Sequence, residues 1–561
     1  MATSPAVRVV KLLFVARHFT YFRNFDGVVR RLADRGHRIH LAAERDEALG
    51  GRELVERLAA ASPLVTIGEV PPRADERWFA IATSIRRSLD YLRYASPLYD
   101  EAPKIRERAW ERTPRLAVAV ARWPGRWFVE RGLDALDRAI PTDAAMDRWL
   151  AEQQPDLVLL SPLIELGSPQ LDLLRSAQRR RLRTALAVWS WDHLTSKARL
   201  RQCPDRVLVW NETQRSEAIV LHGVPAERIV VTGAQCFDHW FDRPPSRTRE
   251  QFCRGAGLDP AHPFVLYVCS ALFRGSPSEA AFVCRWAEHL RRSALPLVSG
   301  AGILVRPHPQ RMHEWDTTRL PDGVAFRGGH PIDEAGRAEY FDALYHAAAV
   351  VGLNTSALIE GAIVDRPLLT LLLPEFRENQ AGTLHFRYLL DGPDALLHVA
   401  TDLDSHVRQL DAALAGRLPN HNTAFVKRFI RPHGLDSAAT PAFVEALESQ
   451  ATSPPPALPG RSFGDRAWAR VALAWYAAAD TPSVRWLTLE AARVVEERDR
   501  AQRIERKQVR IRRRDEERRS RETAKEERYR TKRRRQRVAQ LKTAVRRVLT
   551  TAAGGGAASR S

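Results

Sequence analysis

The sequence predicts an α/β protein built on two doubly wound parallel sheets, and two observations support this. Short apolar segments alternate with helical ones, the pattern of strands buried on both faces and joined by crossover helices. The alternation occurs twice, before and after a polar loop near residue 245. We therefore expect two Rossmann-like domains that face one another across a cleft.

The first series of strands defines an amino-terminal domain at 1–245. It opens with a strand at 7–16, continues with a helix that begins near Asp26, and returns as the strand RIHLAAE. Residues 73–150 are mostly helical by pattern and rich in Arg, Trp and Tyr, so we interpret them as an insertion. The other predicted strands of this domain are PDLVLLSP (155–162), TALAVWSW (184–191), DRVLVW (205–210) and RIVVTG (228–233).

The second series defines a carboxyl-terminal domain at 246–450. A Pro-rich linker at 451–462 and a helical, strongly basic tail at 463–561 follow it. The predicted strands of this domain are FVLYVCS (264–270), GILVRPHP (302–309), GVAFRGG (323–329), AAVVGLN (348–354) and RPLLTLLL (366–373).

The charge of the chain is concentrated in the tail. The sequence has 87 Lys and Arg against 67 Asp and Glu, a net charge of +20, and residues 491–550 alone account for +14. A helix of this composition is compatible with a solvated surface, an anionic lipid surface, or a nucleic-acid or protein partner. Ten interleaved acidic residues weaken its field. An anionic membrane surface is therefore a predicted partner, and nucleic acid is not.

The remaining composition is that of an ordinary intracellular globular protein. Hydrophobic residues make up 44% and charged residues 27%, which excludes wholesale disorder. The five cysteines form no CxxC pair or metal-ligand cluster, so we expect reduced cysteines and no metal. We find neither a signal peptide pattern nor an apolar stretch of membrane-helix length. We expect a cytoplasmic protein, peripheral at the inner face of the cell membrane if the tail docks there.

Ligands of open parallel sheets bind in the crevice beyond the carboxyl ends of the strands. This rule selects candidate ligand contacts in the second domain: Ser270, Arg274, Arg306, His308, Asn354, Thr355, Ser356 and Glu360. The turn at 354–356 joins a strand to a helix, so its backbone N–H groups suit a phosphate, although an ordinary helix cap explains the same residues. His308 lies between two prolines and could bind a diphosphate, or it could simply bond a backbone carbonyl.

Candidate catalytic bases lie in the first domain. Asp192 and His193 belong to the segment WSWDHLTSK, which follows a predicted strand, and His18 follows the first strand. Either region could deprotonate an acceptor, and each residue could equally be a polar loop side chain that caps a helix. The sequence leaves open whether the base is Asp192 or His193, whether it is His18, or whether it is none of these residues.

The segments RPHP (306–309) and GLNTSALIEGAIVDRPLL (352–369) resemble the carboxyl-terminal half of GT-B glycosyltransferases. The resemblance is to enzymes of bacterial surface polysaccharide and teichoic-acid-like synthesis, including CDP-glycerol glycerophosphotransferases. The opening KLLFVARHFTYFRNFDGVVRRLADRGHRIHLAAE is similar to the first βαβ unit of such enzymes. The resemblance implies that a nucleotide-activated donor binds the second domain. His308 and the 354–356 turn would then contact the diphosphate, and Glu360 the ribose.

The expected activity is transfer of a sugar from a nucleotide-activated donor to a cell-envelope glycan or lipid-linked acceptor. No cofactor beyond that donor is expected, and no metal, because the DLD at Asp402–Asp404 is better explained as a helix cap. Three alternatives stay open. Two use the same fold, a polyol-phosphate transferase of the CDP-glycerol type and a sugar-nucleotide epimerase. The third is an RNA-binding or scaffold protein acting through the basic tail.

Overall fold

The computed structural model describes residues 8–454, apart from 46–49, 74–75, 274, 317, 330, 332 and 393, together with 467, 470–471 and 473–474. The chain divides into two units, Met1–Thr488 and Leu489–Ser561, and all described residues belong to the first. Most of the predicted linker and all but five residues of the predicted basic tail therefore lie outside the described residues. No helix among the described residues is long and apolar enough to cross a bilayer.

The first sheet has seven parallel strands in the order β3-β2-β1-β4-β5-β6-β7. The chain starts in the middle of this sheet and builds outward in both directions. The strands are β1 (Lys11–His18), β2 (Arg38–Arg45), β3 (Val65–Glu69), β4 (Leu157–Ser161), β5 (Arg183–Ala187), β6 (Arg206–Val209) and β7 (Ile229–Val231).

The second sheet has six parallel strands in the order β10-β9-β8-β11-β12-β13. Both sheets carry helices on both faces, as the alternation of apolar strands and helices predicts. The strands are β8 (Phe264–Val268), β9 (Gly302–Arg306), β10 (Val324–Phe326), β11 (Ala349–Val351), β12 (Leu368–Leu371) and β13 (His398–Ala400).

Helices connect these strands. Before β8 they are α1 (Asp26–Asp34), α2 (Gly51–Ala61), α3 (Glu76–Tyr94), α4 (Pro103–Trp110), α5 (Arg115–Val120), α6 (Arg126–Ala139), α7 (Ala144–Gln153), α8 (Gln170–Arg179), α9 (His193–Ser196), α10 (Glu212–His222) and α11 (Arg249–Ala256). After β8 they are α12 (Glu279–Arg291), α13 (Pro296–Ser299), α14 (Glu334–His346), α15 (Ala357–Ile363), α16 (Arg387–Leu390), α17 (Leu403–Leu414), α18 (Asn422–Phe429) and α19 (Ala439–Thr452). Short 3-10 helices lie at Phe19–Asn24, Pro97–Tyr99, Ala226–Arg228, Gln235–Trp240, Pro309–Glu314 and Pro374–Asn379.

The helix α19 does not belong to the second domain, although the predicted boundary at 450 included it there. It packs on the first sheet domain, where Phe443 and Leu447 join the apolar core around β1 and α1. Arg35 fixes it there with two hydrogen bonds to Glu448, of 2.6 and 2.9 Å. The chain therefore crosses back to the first domain after completing the second, because the apolar face of α19 covers the core next to α1.

The predicted insertion is helical and is attached by a buried ion network. Arg86 on α3 is 1% exposed and donates to Asp137 on α6 (Nε to Oδ1, 3.0 Å) and to Asp172 on α8 (Nη1 to Oδ2, 3.0 Å). Arg175 on α8 donates to Asp137 from its Nη2 (2.6 Å). Burial alone would raise the pKa of Asp137, but Arg175 and Arg86 hold it well below its usual range. The network therefore joins two helices of the insertion to the sheet domain through charges that all have partners.

Replacement of Arg86 by methionine should destabilise the protein by roughly 3–5 kcal/mol, because it removes a partner from two buried carboxylates. Chemical denaturation, followed by circular dichroism, measures the change. Arg292→Met is the matched control, because this side chain is 77% exposed and pairs with Glu288 on the surface. Its effect should stay within about 0.5 kcal/mol. Equal losses in the two variants would contradict the assigned role of the network.

Candidate active site

A cleft of about 460 Å³ separates the two sheets. Its walls are loops at the carboxyl ends of strands, from β1, β5, β6 and β7 on one side and from β8 to β11 on the other. Parallel strands present all these ends at one edge of each sheet, so two facing sheets assemble one site from eight loops. Five of the eight predicted ligand contacts line this cleft: Arg306, His308, Thr355, Ser356 and Glu360.

Positive charge dominates the walls of the cleft. Arg23 and Arg243 line it from the first domain, and Arg306 and Arg337 line it from the second. Glu360 is the single carboxylate among its described lining residues. Each of three arginines also has a carboxylate partner, as in the 3.5 Å pair between Arg337 and Asp26, which joins the two domains. The balance of charge favours an anionic ligand.

Arg306, at the end of β9, is oriented by its neighbours. Its guanidinium lies 4.5 Å from the centroid of the Tyr340 ring, and its Nη2 donates to the carbonyl of Gly329 (3.3 Å). The Tyr340 hydroxyl donates in turn to Glu360. Burial raises the pKa of Glu360 and outweighs the opposing hydrogen bond from Tyr340. These contacts fix a guanidinium and a carboxyl group in the second-domain wall.

His308, Thr355 and Ser356 also line the cleft, as predicted. The backbone N–H of Gln310 donates to His308 Nδ1 (3.3 Å), which assigns the ring proton of a neutral His308 to Nε2. Thr355 and Ser356 directly precede α15, where helix N–H groups have no partner within the helix. A hydrogen-bond donor and two hydroxyl groups therefore lie beside Arg306 in the same wall.

Two predicted contacts do not line the cleft. Ser270 is fully buried, and its hydroxyl accepts a hydrogen bond from the backbone N–H of Asn354 (3.0 Å). The Asn354 amide donates to the carbonyl of Asn379 (2.6 Å) and to Thr383 Oγ1 (3.2 Å). Both side chains therefore hold the loops behind the wall together. Arg274 lies outside the described residues.

The three predicted bases differ in their surroundings. Asp192 is 20% exposed and pairs with Lys197 at 2.9 Å. Burial alone would raise the pKa of Asp192, but Lys197, His385 and the Ser190 hydroxyl hold it well below its usual range. Burial lowers the pKa of the wholly enclosed His193 to about 3. Burial and Arg45, whose Nε donates to His18 Nε2 (2.9 Å), lower the pKa of His18 to about 4.

These pKa values decide the charge of each group at neutral pH. Asp192 is ionised, whereas His193 and His18 are neutral. Asp192 also follows Ser190 and Trp191, which both line the cleft. The DLD segment supplies a helix cap. The Asp402 side chain caps α17 by accepting the Ser405 N–H (2.7 Å), as predicted.

Sequence reasoning missed several residues of the cleft, among them three arginines and a tyrosine. Arg23 and Arg243 follow β1 and β7, so the strand-end rule could have found them had it been applied to the longer loops of the first domain. Arg337 and Tyr340 come from α14, well beyond any strand end. Only the packing of α14 brings them to the cleft, and nothing in their local pattern signals it.

No family model matches this chain, and no curated protein does. Among solved structures, the chain is similar to a glycosyltransferase from Rickettsia africae, with 9% identity and a TM-score of 0.45, over 80% of this chain and 100% of that one. It is also similar to a UDP-GlcNAc 2-epimerase from Methanocaldococcus jannaschii, with 10% identity and a TM-score of 0.46, over 78% and 99%. A variant of the wall teichoic acid polymerase TagF has 9% identity and a TM-score of 0.40, over 80% and 90%.

The fold class predicted from the sequence is confirmed. The chain is an α/β protein in which two parallel sheets face one another and the carboxyl ends of their strands line the cleft between them.

Gly328→Ala should destabilise the protein by roughly 1–3 kcal/mol. Gly328 has a φ of +124°, and a Cβ there would lie 2.8 Å from Arg306 Cγ, so the change strains the backbone and displaces the guanidinium. Gly329→Ala is the control, because a Cβ at that position meets no atom within 4 Å. Urea denaturation compares the two variants. The assignment is contradicted if the alanine at 328 is tolerated as well as the one at 329.

The stability of the protein should depend on Glu279, which supports the Ser270 loop. Its carboxyl group accepts the Ser270 N–H (2.7 Å) and the Tyr267 hydroxyl (3.2 Å), and burial raises its pKa to about 8. The folded state then keeps a proton that the unfolded state loses above its ordinary pKa of 4.5, so this contribution to stability falls as the pH rises towards 8. Glu279→Gln should remove that loss, and its stability relative to the wild type should increase between pH 6 and pH 9.

Urea denaturation at several pH values measures this difference. Glu288→Gln provides the control. Glu288 lies on α12, the helix that also contains Glu279, and its side chain is 49% exposed. Parallel stability curves for the wild type and Glu279→Gln would show that Glu279 does not titrate in this range.

Proposed function

We propose that this protein is a glycosyltransferase that takes a sugar from a nucleotide-activated donor. The observation that carries the proposal is the positively lined cleft between the two sheets. Its volume of about 460 Å³ falls in the range of roughly 300–1,000 Å³ usual for small-molecule sites. Four arginines and one carboxylate line it, which suits a ligand with the charge of a nucleoside diphosphate.

The second-domain wall would bind the nucleotide half of the donor. Arg306 and His308 Nε2 would contact the diphosphate together with the hydroxyl groups of Thr355 and Ser356. Glu360, held by the Tyr340 hydroxyl, would accept hydrogen bonds from the ribose. The backbone after Phe326 would hold the base. The proposed donor contacts would then lie at the end of β9 and in the loop after it, in the loop after β11, and on α15.

The first-domain wall would bind the acceptor. Trp189 and Trp191 line it with Ser190, and Asp192 follows at once. Asp192 is the base that we propose among the three predicted ones, because it is ionised and partly exposed. It would accept the proton of the acceptor hydroxyl while the hydroxyl oxygen attacks the sugar carbon and the bond to the diphosphate breaks. Arginines fixed in the cleft would stabilise the negative charge on the departing diphosphate, a role that requires no further cofactor.

The first test is the thermal stability of the protein with UDP, CDP, GDP, ADP, dTDP or CMP. A ligand that binds only the folded state raises the melting temperature, so a selective shift by one nucleotide should identify the donor class. His308→Ala should weaken binding of that nucleotide roughly tenfold to a hundredfold, as expected for a hydrogen bond to a charged group. His313→Ala is the control, since His313 lies in the 3-10 helix that His308 caps and does not line the cleft.

The products of the reaction then separate the activities that share this fold. Sugar transfer releases a nucleoside diphosphate only when an acceptor is present. A polyol-phosphate transferase would release a nucleoside monophosphate, and an epimerase would convert the donor without any acceptor. Unchanged nucleotide affinity in His308→Ala would remove the site assignment, and no shift with any nucleotide would remove the proposal.

A further inference from the structure

The turn between α5 and α6 exposes three large aromatic side chains. Trp123 is 52% exposed, Trp127 49% and Phe128 60%. The rings of Trp127 and Phe128 stack with centroids 3.5 Å apart, and the Trp123 ring lies against Gly125, the residue that begins α6. The side chains thus form one surface, which we call the aromatic patch and define as residues 119–131. Aromatic area of this size left in water marks an interaction surface.

Basic side chains surround the aromatic patch. Arg122 and Arg131 are exposed, and the Arg131 guanidinium lies 6.0 Å from the Trp127 ring centroid. Arg126 is the third arginine of the patch, and its Nη1 donates to the carbonyl of Ala95 (2.7 Å). The only acidic residue in 119–131, Glu130, already accepts a hydrogen bond from Arg199 (3.1 Å). The patch therefore combines apolar rings with a net positive charge.

Polar contacts of the insertion connect the aromatic patch to the segment that follows Asp192. Arg126 connects it to the end of α3, where Arg93 donates to the carbonyl of Leu194 (3.2 Å). Tyr99 and Arg108, also in the insertion, donate to the carbonyls of Thr195 (3.2 Å) and Ser196 (2.6 Å). These carbonyls belong to α9, the helix that Asp192 begins. Whatever binds the patch is thus fixed relative to the loop of Asp192.

We propose that the aromatic patch docks on the surface of an anionic phospholipid bilayer. Trp and Phe side chains enter the boundary between headgroups and acyl chains, while arginines at the rim contact lipid phosphates. A second copy of the chain is a poorer match, because a two-fold contact would place the arginines of one patch, Arg122 and Arg131, against the identical arginines of the other copy. Only the role that we assign to docking rests on the proposed function: it would bring a lipid-linked acceptor to the loop of Asp192.

The test uses the full-length protein and phosphatidylcholine vesicles with or without phosphatidylglycerol. The wild type should cosediment with the anionic vesicles. The triple variant Trp123→Ser, Trp127→Ser, Phe128→Ser should lose roughly tenfold or more in partitioning. Val220→Ser is the control, because Val220 is 74% exposed on α10, outside the insertion. The basic tail is present in every protein, so its contribution is common to all.

A second measurement applies if the triple variant fails to fold. Trp123→Phe, Trp127→Phe keeps the apolar surface, so it should still bind vesicles. Lipids brominated on their acyl chains should quench its fluorescence less than that of the wild type. Arg122→Glu, Arg131→Glu should weaken binding to anionic vesicles while leaving the nucleotide-induced thermal shift intact.

The proposal is overturned if the triple variant partitions like the wild type, or if bromolipids quench the wild type and the double Phe variant equally. It is also overturned if the wild type self-associates through the patch and binds no vesicles. If the wild type does not bind vesicles but a nucleotide still raises its melting temperature, the docking proposal fails and the proposed function stands. If the wild type binds vesicles but no nucleotide raises its melting temperature, the proposed function fails and the docking proposal stands.

Discussion

The ion network around Arg86 is the interaction on which the arrangement of the insertion depends. Charges buried without partners are costly, so α3, α6 and α8 must meet in the one arrangement that pairs Arg86 with both Asp137 and Asp172. A further buried acid, Asp90 on α3, accepts the backbone N–H groups of Gly167 (2.9 Å) and Arg199 (3.3 Å). The insertion is thereby matched to the sheet domain by specific contacts rather than by apolar packing alone.

This attachment has consequences for the cleft. The end of α3 holds the carbonyls of the segment that follows Asp192, so the conformation of this loop depends on the insertion. Across the cleft, the Arg337–Asp26 pair and the hydrogen bond from Tyr388 to Glu217 connect the two sheet domains. Polar contacts between the two sheet domains therefore position the proposed donor and acceptor walls, and one of these contacts, the Arg337–Asp26 pair, involves an arginine that lines the cleft.

The sequence predicted the two sheets well because most of their strands are buried on both faces. The two strands that it missed, β3 and β13, lie at sheet edges, are only partly buried and have no long apolar run. The strand-end rule correctly placed Arg306 and His308 at the cleft. It failed for Ser270 and Asn354, because it selects positions along the chain and not the direction of a side chain. Arg337 could not be predicted at all, since only the packing of α14 brings it there.

The return of α19 to the first domain sets the order in which the protein can be completed during synthesis. The ring of Phe443 lies 5.9 Å from that of Phe25, and Val444, Leu447 and Ala451 belong to the same core. This part of the core stays open to water until the last residues of α19 have left the ribosome, although the strands beneath it emerge first. The amino-terminal domain can therefore begin to fold first but completes this core only once α19 has emerged, and until then its uncovered apolar face is prone to aggregation.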